Sequence, residues 1–265
     1  MWEAVLWGVL QGATEFLPVS SSGHLVLAPW LLGRSAPSVT FDVIVHAGTL
    51  LAMVVCFWRD ILALLAGLWQ SWRRRQLTPE GRLALMIAVS AVPAGLAGLL
   101  LEDYLEAAFG APKVVAVLLL VTGTLLAVSE RLGRRERPLA ALSWRDAVTI
   151  GLAQGVALLP GISRSGATIS AGLLRGLDRE AAARFGFLMV LPLVAGATAY
   201  ELLGLSGEGG QVGSGLLVAG FVVAAVTGYV ALRLLLGLVR RHSLWPFAIY
   251  CWAMGLFSLV MVALR

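Results

Sequence analysis

Charge is scarce in this chain. Only 13% of its 265 residues are charged, about half the roughly 25% of a soluble globular domain, which excludes an ordinary water-soluble fold, a disordered chain and a coiled coil. Cysteine is scarcer still. Cys56 and Cys251 each stand alone in an apolar stretch, so neither a disulfide framework nor a cysteine metal site is expected. Lysine occurs once, at Lys113, and the formal charge of +5 therefore rests on arginine. A basic n-region is missing too: Glu3 stands where one would lie and no A-x-A site follows the first apolar run, so no signal peptide is expected. What is abundant is apolar. With 59% hydrophobic residues, a mean hydropathy of +0.87, 30 glycines and nine tryptophans, the composition is that of an all-α polytopic membrane protein.

Six runs are long enough to cross about 30 Å of hydrocarbon: 41–58, 83–101, 112–130, 184–205, 213–238 and 245–264. Their connectors sort by charge. Arg73, Arg74, Arg75 and Arg82 lie in one, Arg131, Arg134, Arg135, Arg137 and Arg145 in a second, and Arg240 and Arg241 in a third; the positive-inside rule turns these to the cytoplasm. The alternate connectors hold Glu102, Asp103 and Glu106, or Glu208 among glycines, and face outward, as both termini should. Trp58, Trp69, Trp72, Trp144 and Trp245 sit at span ends as interfacial anchors do, whereas Trp252 breaks that pattern. Arginines confined to short connectors between spans give no reason to expect a nucleic-acid partner. Membrane lipid is the expected surrounding, and a homodimer is compatible with it.

Two apolar regions, 1–32 and 146–175, are each broken in the middle by Pro, Gly and Ser. Neither half of either region can span, so each reads as a re-entrant hairpin that enters and leaves on one side. The first hairpin should open outward and the second inward. The two also align at an offset of 143 without gaps: Ala4/Ala147, Val5/Val148, Gly8/Gly151, Gln11/Gln154, Gly12/Gly155, Ser20/Ser163, Ser22/Ser165 and Gly23/Gly166 are identical. One hairpin followed by three spans, occurring twice with an odd number of spans, is an inverted repeat. The chain is thus read as a single integral membrane domain, 1–265, with repeat 1 at about 1–131 and repeat 2 at about 146–265. In such folds the half-helix N-termini meet near the midplane and suit anions.

An ionisable group at membrane depth costs at least ~2.5–3.5 kcal/mol on insertion scales, so Glu15, His24 and Arg164 need partners. They can be each other's. Between the hairpins, Arg164 suits a bidentate pair with a phosphate ester. The backbones at Ser20, Ser21, Ser22 and Gly23, and at Ser163, Ser165 and Gly166, suit further N–H bonds to the same anion. Glu15, with or without Gln11 one helical turn before it, then holds a divalent cation such as Mg²⁺ or Ca²⁺ or acts as a base. Simpler readings compete: Gly8-x-x-x-Gly12 and Gly151-x-x-x-Gly155 read first as helix-packing motifs. Asp42 and His46 form a second i, i+4 pair, read equally as support for the site or as a solvated helix end. Glu201 and Arg184 read as snorkelling boundary residues, and His242 as a loop residue.

The stretch from Gln11 to Leu25, QGATEFLPVSSSGHL, together with PGISRSGATI from Pro160 to Ile169, resembles the two signature motifs of the bacterial undecaprenyl-diphosphatases, the bacitracin-resistance family. The resemblance extends over the whole chain. It implies hydrolysis of the diphosphate of a C55 polyprenyl lipid to the monophosphate and inorganic phosphate, in the bacterial plasma membrane, with the lipid carrier recycled for cell-wall synthesis. The family motif takes Glu or Gln where this chain has Gln11, and its arginine falls on Arg164. Gly186 stands where the family often has Ser. The nucleophile is left open among Ser21, assisted by His24 or Glu15, His24 itself, and a metal-bound water. A secondary transporter or polyprenyl-phosphate flippase is the competing reading, because inverted repeats with broken helices are a transporter design. Against it stands asymmetry: Glu15 and His24 face Leu158 and Ala167 in the repeat, as a one-sided hydrolytic site requires. Charge alone places that site on the exterior side.

Overall fold

In a computed structural model describing residues 1–204 and 213–264, the chain is made of helices. The first hairpin is α1 (Trp2–Phe16) and α2 (Ser21–Leu31), followed by α3 (Val39–Arg74), α4 (Pro79–Leu100), α5 (Glu102–Phe109) and α6 (Pro112–Leu132). The second hairpin is α7 (Trp144–Val156) and α8 (Arg164–Leu174), followed by α9 (Arg179–Gly204), α10 (Ser214–Val239) and α11 (Trp245–Leu264). The six expected spans are α3, α4, α6, α9, α10 and α11, each long and apolar enough to cross a membrane. The chain is a multi-pass membrane protein. The expected outer connector around Glu208 lies at 205–212, outside the described residues.

The boundaries depart from the hydropathy reading where capping or propensity decides. α3 has 36 residues, roughly 54 Å at 1.5 Å per residue, and runs well past the 41–58 apolar run. Arg59 and Asp60 interrupt the apolar character but not the helix, because Leu- and Ala-rich residues 61–69 are strong helix formers; Phe57 (φ −105°, ψ 16°) absorbs a kink, and Arg75 in the left-handed region ends it. α4 starts at Pro79 because the Thr78 hydroxyl accepts the Gly81 N–H at 3.1 Å and proline suits the first turn. Asp178 caps α9 through the Ala181 N–H at 2.7 Å. The first outer connector between spans holds the short helix α5.

Close approach of backbones decides which helices meet. At Gly12 a Cβ would lie 2.7 Å from the Ala224 carbonyl oxygen of α10, and at Gly151 it would lie 2.4 Å from that of Ser90 in α4. Both Gly-x-x-x-Gly motifs are therefore packing faces. The partner choice is consistent with an inverted repeat: α1 packs on α10 as α7 packs on α4, and α6 and α11, which are equivalent, pack on each other. Trp252, the exception among the tryptophans, lies against Gly123 and donates from Nε1 to the Thr124 hydroxyl at 3.2 Å. Arg184 pairs with Asp60 of α3 rather than standing free.

The base of the second hairpin is clamped by ions. Asp146, buried in the first turn of α7, accepts from Arg137 Nη2 and Arg175 Nε at 2.7 Å each and from the N–H and hydroxyl of Ser143 at 2.9 and 2.7 Å. Burial pushes its carboxyl up, but the hydrogen bonds from Arg137, Ser143 and Arg175 outweigh that and hold it well below the usual carboxylate range. Beside it, Glu130 at the end of α6 accepts from Arg179 Nε at 2.6 Å and Nη2 at 2.8 Å. The Asp146 contacts fasten the base of the hairpin to the connector that precedes it, and the Glu130 pair ties α6 to the start of α9.

Candidate active site

The tips of the two hairpins meet. A Cβ at Gly23 would lie 3.2 Å from the Cα of Gly161, so the break of one hairpin rests on the break of the other. Each break is built alike. Ser20 caps α2 by accepting the Gly23 N–H at 3.2 Å, and Ser163 caps α8 by accepting the Gly166 N–H at 3.0 Å. The Ser-x-x-Gly pattern repeated in the sequence is thus two helix N-caps, with glycine where a side chain would crowd the capping serine. Among the described residues, the N–H groups of Ser21, Ser22, Arg164 and Ser165 have no acceptor. Two helix N-termini with free donors converge here, as anion binding requires.

Strain and its restraint explain the first break. Ser20 has φ 71°, a left-handed conformation that costs a non-glycine residue of order 1–3 kcal/mol and persists only where neighbours hold it. His24 holds it. Its backbone N–H and its ring Nδ1 both reach the Ser20 carbonyl, at 3.2 and 2.7 Å. A carbonyl only accepts, so Nδ1 carries the hydrogen, and Nε2 in the neutral ring accepts from the Tyr250 hydroxyl at 2.7 Å. His24 is 3% exposed and does not line the cavity described below. Thr122 of α6 does the same service for the second break, donating to the Gly161 carbonyl at 2.9 Å and accepting the Ser163 N–H at 3.1 Å. Gly161 there has φ +100° and its missing Cβ would fall 2.4 Å from the Val115 carbonyl oxygen; only glycine fits.

A cavity of about 660 Å³ opens over the two tips. Glu15, Ser20, Ser21, Ser22, Ser163 and Arg164 line its floor, whereas Gln11, Gly23, Ser165 and Gly166 lie behind it. Ser165 instead reaches the Leu17 carbonyl at 3.3 Å. Glu15 is the hub. It accepts the Ser21 hydroxyl at 2.5 Å, Arg164 Nη2 at 2.7 Å and Gln11 Nε2 at 3.1 Å. The serine that opens α2, the carboxylate and the arginine that opens α8 are therefore one hydrogen-bonded unit built from both hairpins.

Three further polar residues line the cavity: Asp42 and His46 from α3, and Glu201 near the end of α9. His242 does lie in the turn after α10. The sequence signal for the α3 pair was its i, i+4 spacing at a span's end. Tyr250 and Thr122 carried no signal at all, because each acts from a distant helix on a backbone or ring it does not neighbour in sequence.

No group of three or more His, Cys, Asp or Glu that could hold a metal occurs among the described residues. Next to Glu15 on the same helical face is Gln11, whose Oε1 is buried without a hydrogen-bond partner. That orphaned acceptor next to a carboxylate fits a hard cation shared with phosphate oxygens, since Mg²⁺ is usually held by only one or two carboxylates and the substrate.

A model of the bacitracin resistance protein BacA family matches residues 4–257. The chain is 46% identical over 250 residues to an undecaprenyl-diphosphatase of Pelobacter propionicus, covering 93% of this chain and 92% of the relative. It is 47% identical over 258 residues to one of Rubrobacter xylanophilus, covering 96% and 95%, and 41% identical over 268 residues to one of Desulforudis audaxviator, covering 100% and 98%.

Proposed function

Because the chain belongs to the bacitracin resistance protein BacA family, we propose that it hydrolyses undecaprenyl diphosphate to undecaprenyl phosphate and inorganic phosphate. One observation carries the reading of the site: the Ser21 hydroxyl donates to a carboxylate that Arg164 of the other hairpin also holds. In the reaction we assign, the diphosphate enters the cavity, Arg164 turns from Glu15 to non-bridging phosphate oxygens, and the free N–H groups of α2 and α8 take others. Ser21 Oγ attacks the terminal phosphorus and passes its proton to Glu15. The bond from that phosphorus to the bridging oxygen breaks, and the lipid monophosphate leaves with the proton that Glu15 had taken, which returns Glu15 to the carboxylate. Water then attacks the phosphoserine, giving one proton to Glu15, which passes it to Ser21 Oγ as the bond from that oxygen to phosphorus breaks and phosphate is released.

His24 has a different part in this scheme from the base its position in the motif suggested. With Nδ1 on Ser20 and Nε2 on Tyr250 it has no lone pair to spare, so it positions Ser21 by fixing the strained residue before it. A divalent cation, Mg²⁺ or Ca²⁺, held by Glu15 and Gln11 Oε1 would neutralise charge on the diphosphate. The site's asymmetry does not favour a transporter or flippase: the second hairpin has Leu158 and Ala167 where the first has Glu15 and His24.

The cavity's rim includes Arg34, Pro37, Leu105, Phe109 and Gly110, all from connectors that the charge rule turns away from the cytoplasm. This supports an active site on the periplasmic side of the plasma membrane, where phosphate leaves without crossing it while the C55 tail stays in lipid. The deciding experiment for the activity is phosphate release from a polyprenyl diphosphate by protein purified in detergent, where no gradient or second compartment exists. Release is expected, with loss on chelation and recovery with Mg²⁺ or Ca²⁺; no release would end the reading, and release surviving exhaustive chelation would end the metal role. For the sidedness, Ser38→Cys in a variant without Cys56 and Cys251 should react with an impermeant thiol reagent in whole cells, and Gln76→Cys should not. Both positions are exposed, so the reverse pattern would overturn the orientation.

A further inference from the structure

Asp42, His46 and Glu201 share the cavity with the reacting groups and have no part in the scheme above. His46 is the distinctive one. Its Nδ1 lies 2.9 Å from the Asp42 carbonyl oxygen, which only accepts, and 3.7 Å from Asp42 Oδ1. Nδ1 therefore carries a hydrogen, and the basic lone pair of the neutral ring is on Nε2. Among the described residues nothing hydrogen-bonds that nitrogen. The contrast with His24, whose two nitrogens are both taken, is complete. His46 lines the cavity and His24 does not.

The charges around it set what that nitrogen does. Asp42 acts on it from its own helix, Glu15 from α1, Arg164 from α8, and Glu201 from α9. The other helices on α3, α4 and α10, place their ionisable groups at the far end: Glu80 lies against Gly67, and Arg233 acts on Cys56 and so lies near Asp60. Arg34 on the rim is already paired with Glu3. The cavity thus holds three carboxylates and, beside Arg34, one guanidinium, that of Arg164, which is paired with Glu15. A diphosphate monoester near neutral pH adds two to three negative charges to that total, and one arginine together with a divalent cation does not balance the sum.

We propose that His46 takes up a proton as the diphosphate enters and donates from Nε2 to a phosphate oxygen, as a second cationic contact beside Arg164. The Asp42 carbonyl and carboxylate hold the other side of the ring in both states, so binding requires a proton but no rotation. This rests on the diphosphatase reading of the site. It adds a substrate contact that comes from neither signature motif.

The test compares the parent with His46→Gln, which keeps a donor but cannot titrate, and His46→Ala. Each is assayed for kcat and KM on a polyprenyl diphosphate in detergent across pH, and for methylenediphosphonate binding by calorimetry in two buffers of different ionisation enthalpy. In the parent, kcat/KM should fall as rising pH removes the His46 proton, and binding near neutral pH should take up a proton. His46→Gln should lose both the uptake and that alkaline limb. His46→Ala should raise KM 10- to 100-fold with kcat changed far less, the effect of losing a charge-assisted hydrogen bond. An unchanged KM and pH profile in both variants, or equal proton uptake by parent and His46→Gln, would overturn the proposal. If the alanine variant does not fold, the glutamine variant decides by proton uptake alone. An inactive parent would defeat the diphosphatase reading, while the calorimetry would still decide the role of His46.

Discussion

Glu15→Gln separates a base from a scaffold. The glutamine has the volume of the glutamate, and its amide oxygen can still accept either the Ser21 hydroxyl or Arg164 Nη2, now 2.5 and 2.7 Å from separate oxygens of the carboxylate. It cannot serve both, and it cannot take a proton. The loss of proton acceptance is worth about 10²–10⁴-fold in turnover, and the lost counterion of Arg164 acts in the same direction. Stability should suffer less than the roughly 3–5 kcal/mol of a fully buried broken pair, because the Arg164 side chain is 23% exposed and can be reached by cavity water. Phosphate release, measured with the thermal midpoint of the same preparation, should therefore fall at least 10²-fold with a small shift in midpoint. A second comparison is stricter. If Glu15 acts through Ser21, the double variant Glu15→Gln/Ser21→Ala should be no slower than Ser21→Ala alone, as groups acting as a unit are not additive. Turnover within tenfold of the parent, or losses that multiply in the double variant, would refute the assignment of Glu15 as the base.

Arg164→Lys keeps the charge but not the planar fork, and turnover should drop about 10²-fold because bidentate phosphate sites do not tolerate the exchange; near-normal turnover would make Arg164 structural. Thr122→Val leaves the buried Gly161 carbonyl and Ser163 N–H without their shared partner, which should cost about 1–3 kcal/mol, read as a lowered thermal midpoint in detergent. Asp146 predicts an acid limit. Its folded pKa is depressed, so its contribution is present above the unfolded value of 3.8 and lost as pH falls below it; midpoints recorded from pH 7 to 3 should fall at the acid end in the parent. Asp146→Asn should start lower by about 1.5–3 kcal/mol, the contribution of a charge-assisted hydrogen bond, and show a flatter acid limb; equal slopes would remove Asp146 as the cause.

Hydropathy and charge made the spans legible because both are written along the chain: a run of apolar residues either reaches across the bilayer or it does not. The breaks were legible for the same reason, since Ser-x-x-Gly is a local cap whose donor and acceptor lie three residues apart. α3 outruns its apolar stretch because hydropathy measures the surroundings of a segment, and Arg59 and Asp60 end the apolar run without ending the helix.

The site was legible as a set of residues but not as a division of labour. Glu15, Ser21 and Arg164 meet as the motifs implied. His24 sits in the strongest motif and does not line the cavity, while His46, outside both motifs, does. The motif places a histidine four residues after Ser20; it does not say whether the ring serves a substrate or a carbonyl. That distinction lives in φ 71° at Ser20, a backbone conformation that needs an anchor, and in Tyr250, which reaches His24 across 226 residues of chain. In the proposed scheme an imidazole with a backbone carbonyl on one nitrogen and a phenol on the other serves as an anchor. Its loss should move Ser21 rather than remove a proton acceptor, so the alkaline and acid limbs of the pH profile should survive in whatever activity His24→Ala retains.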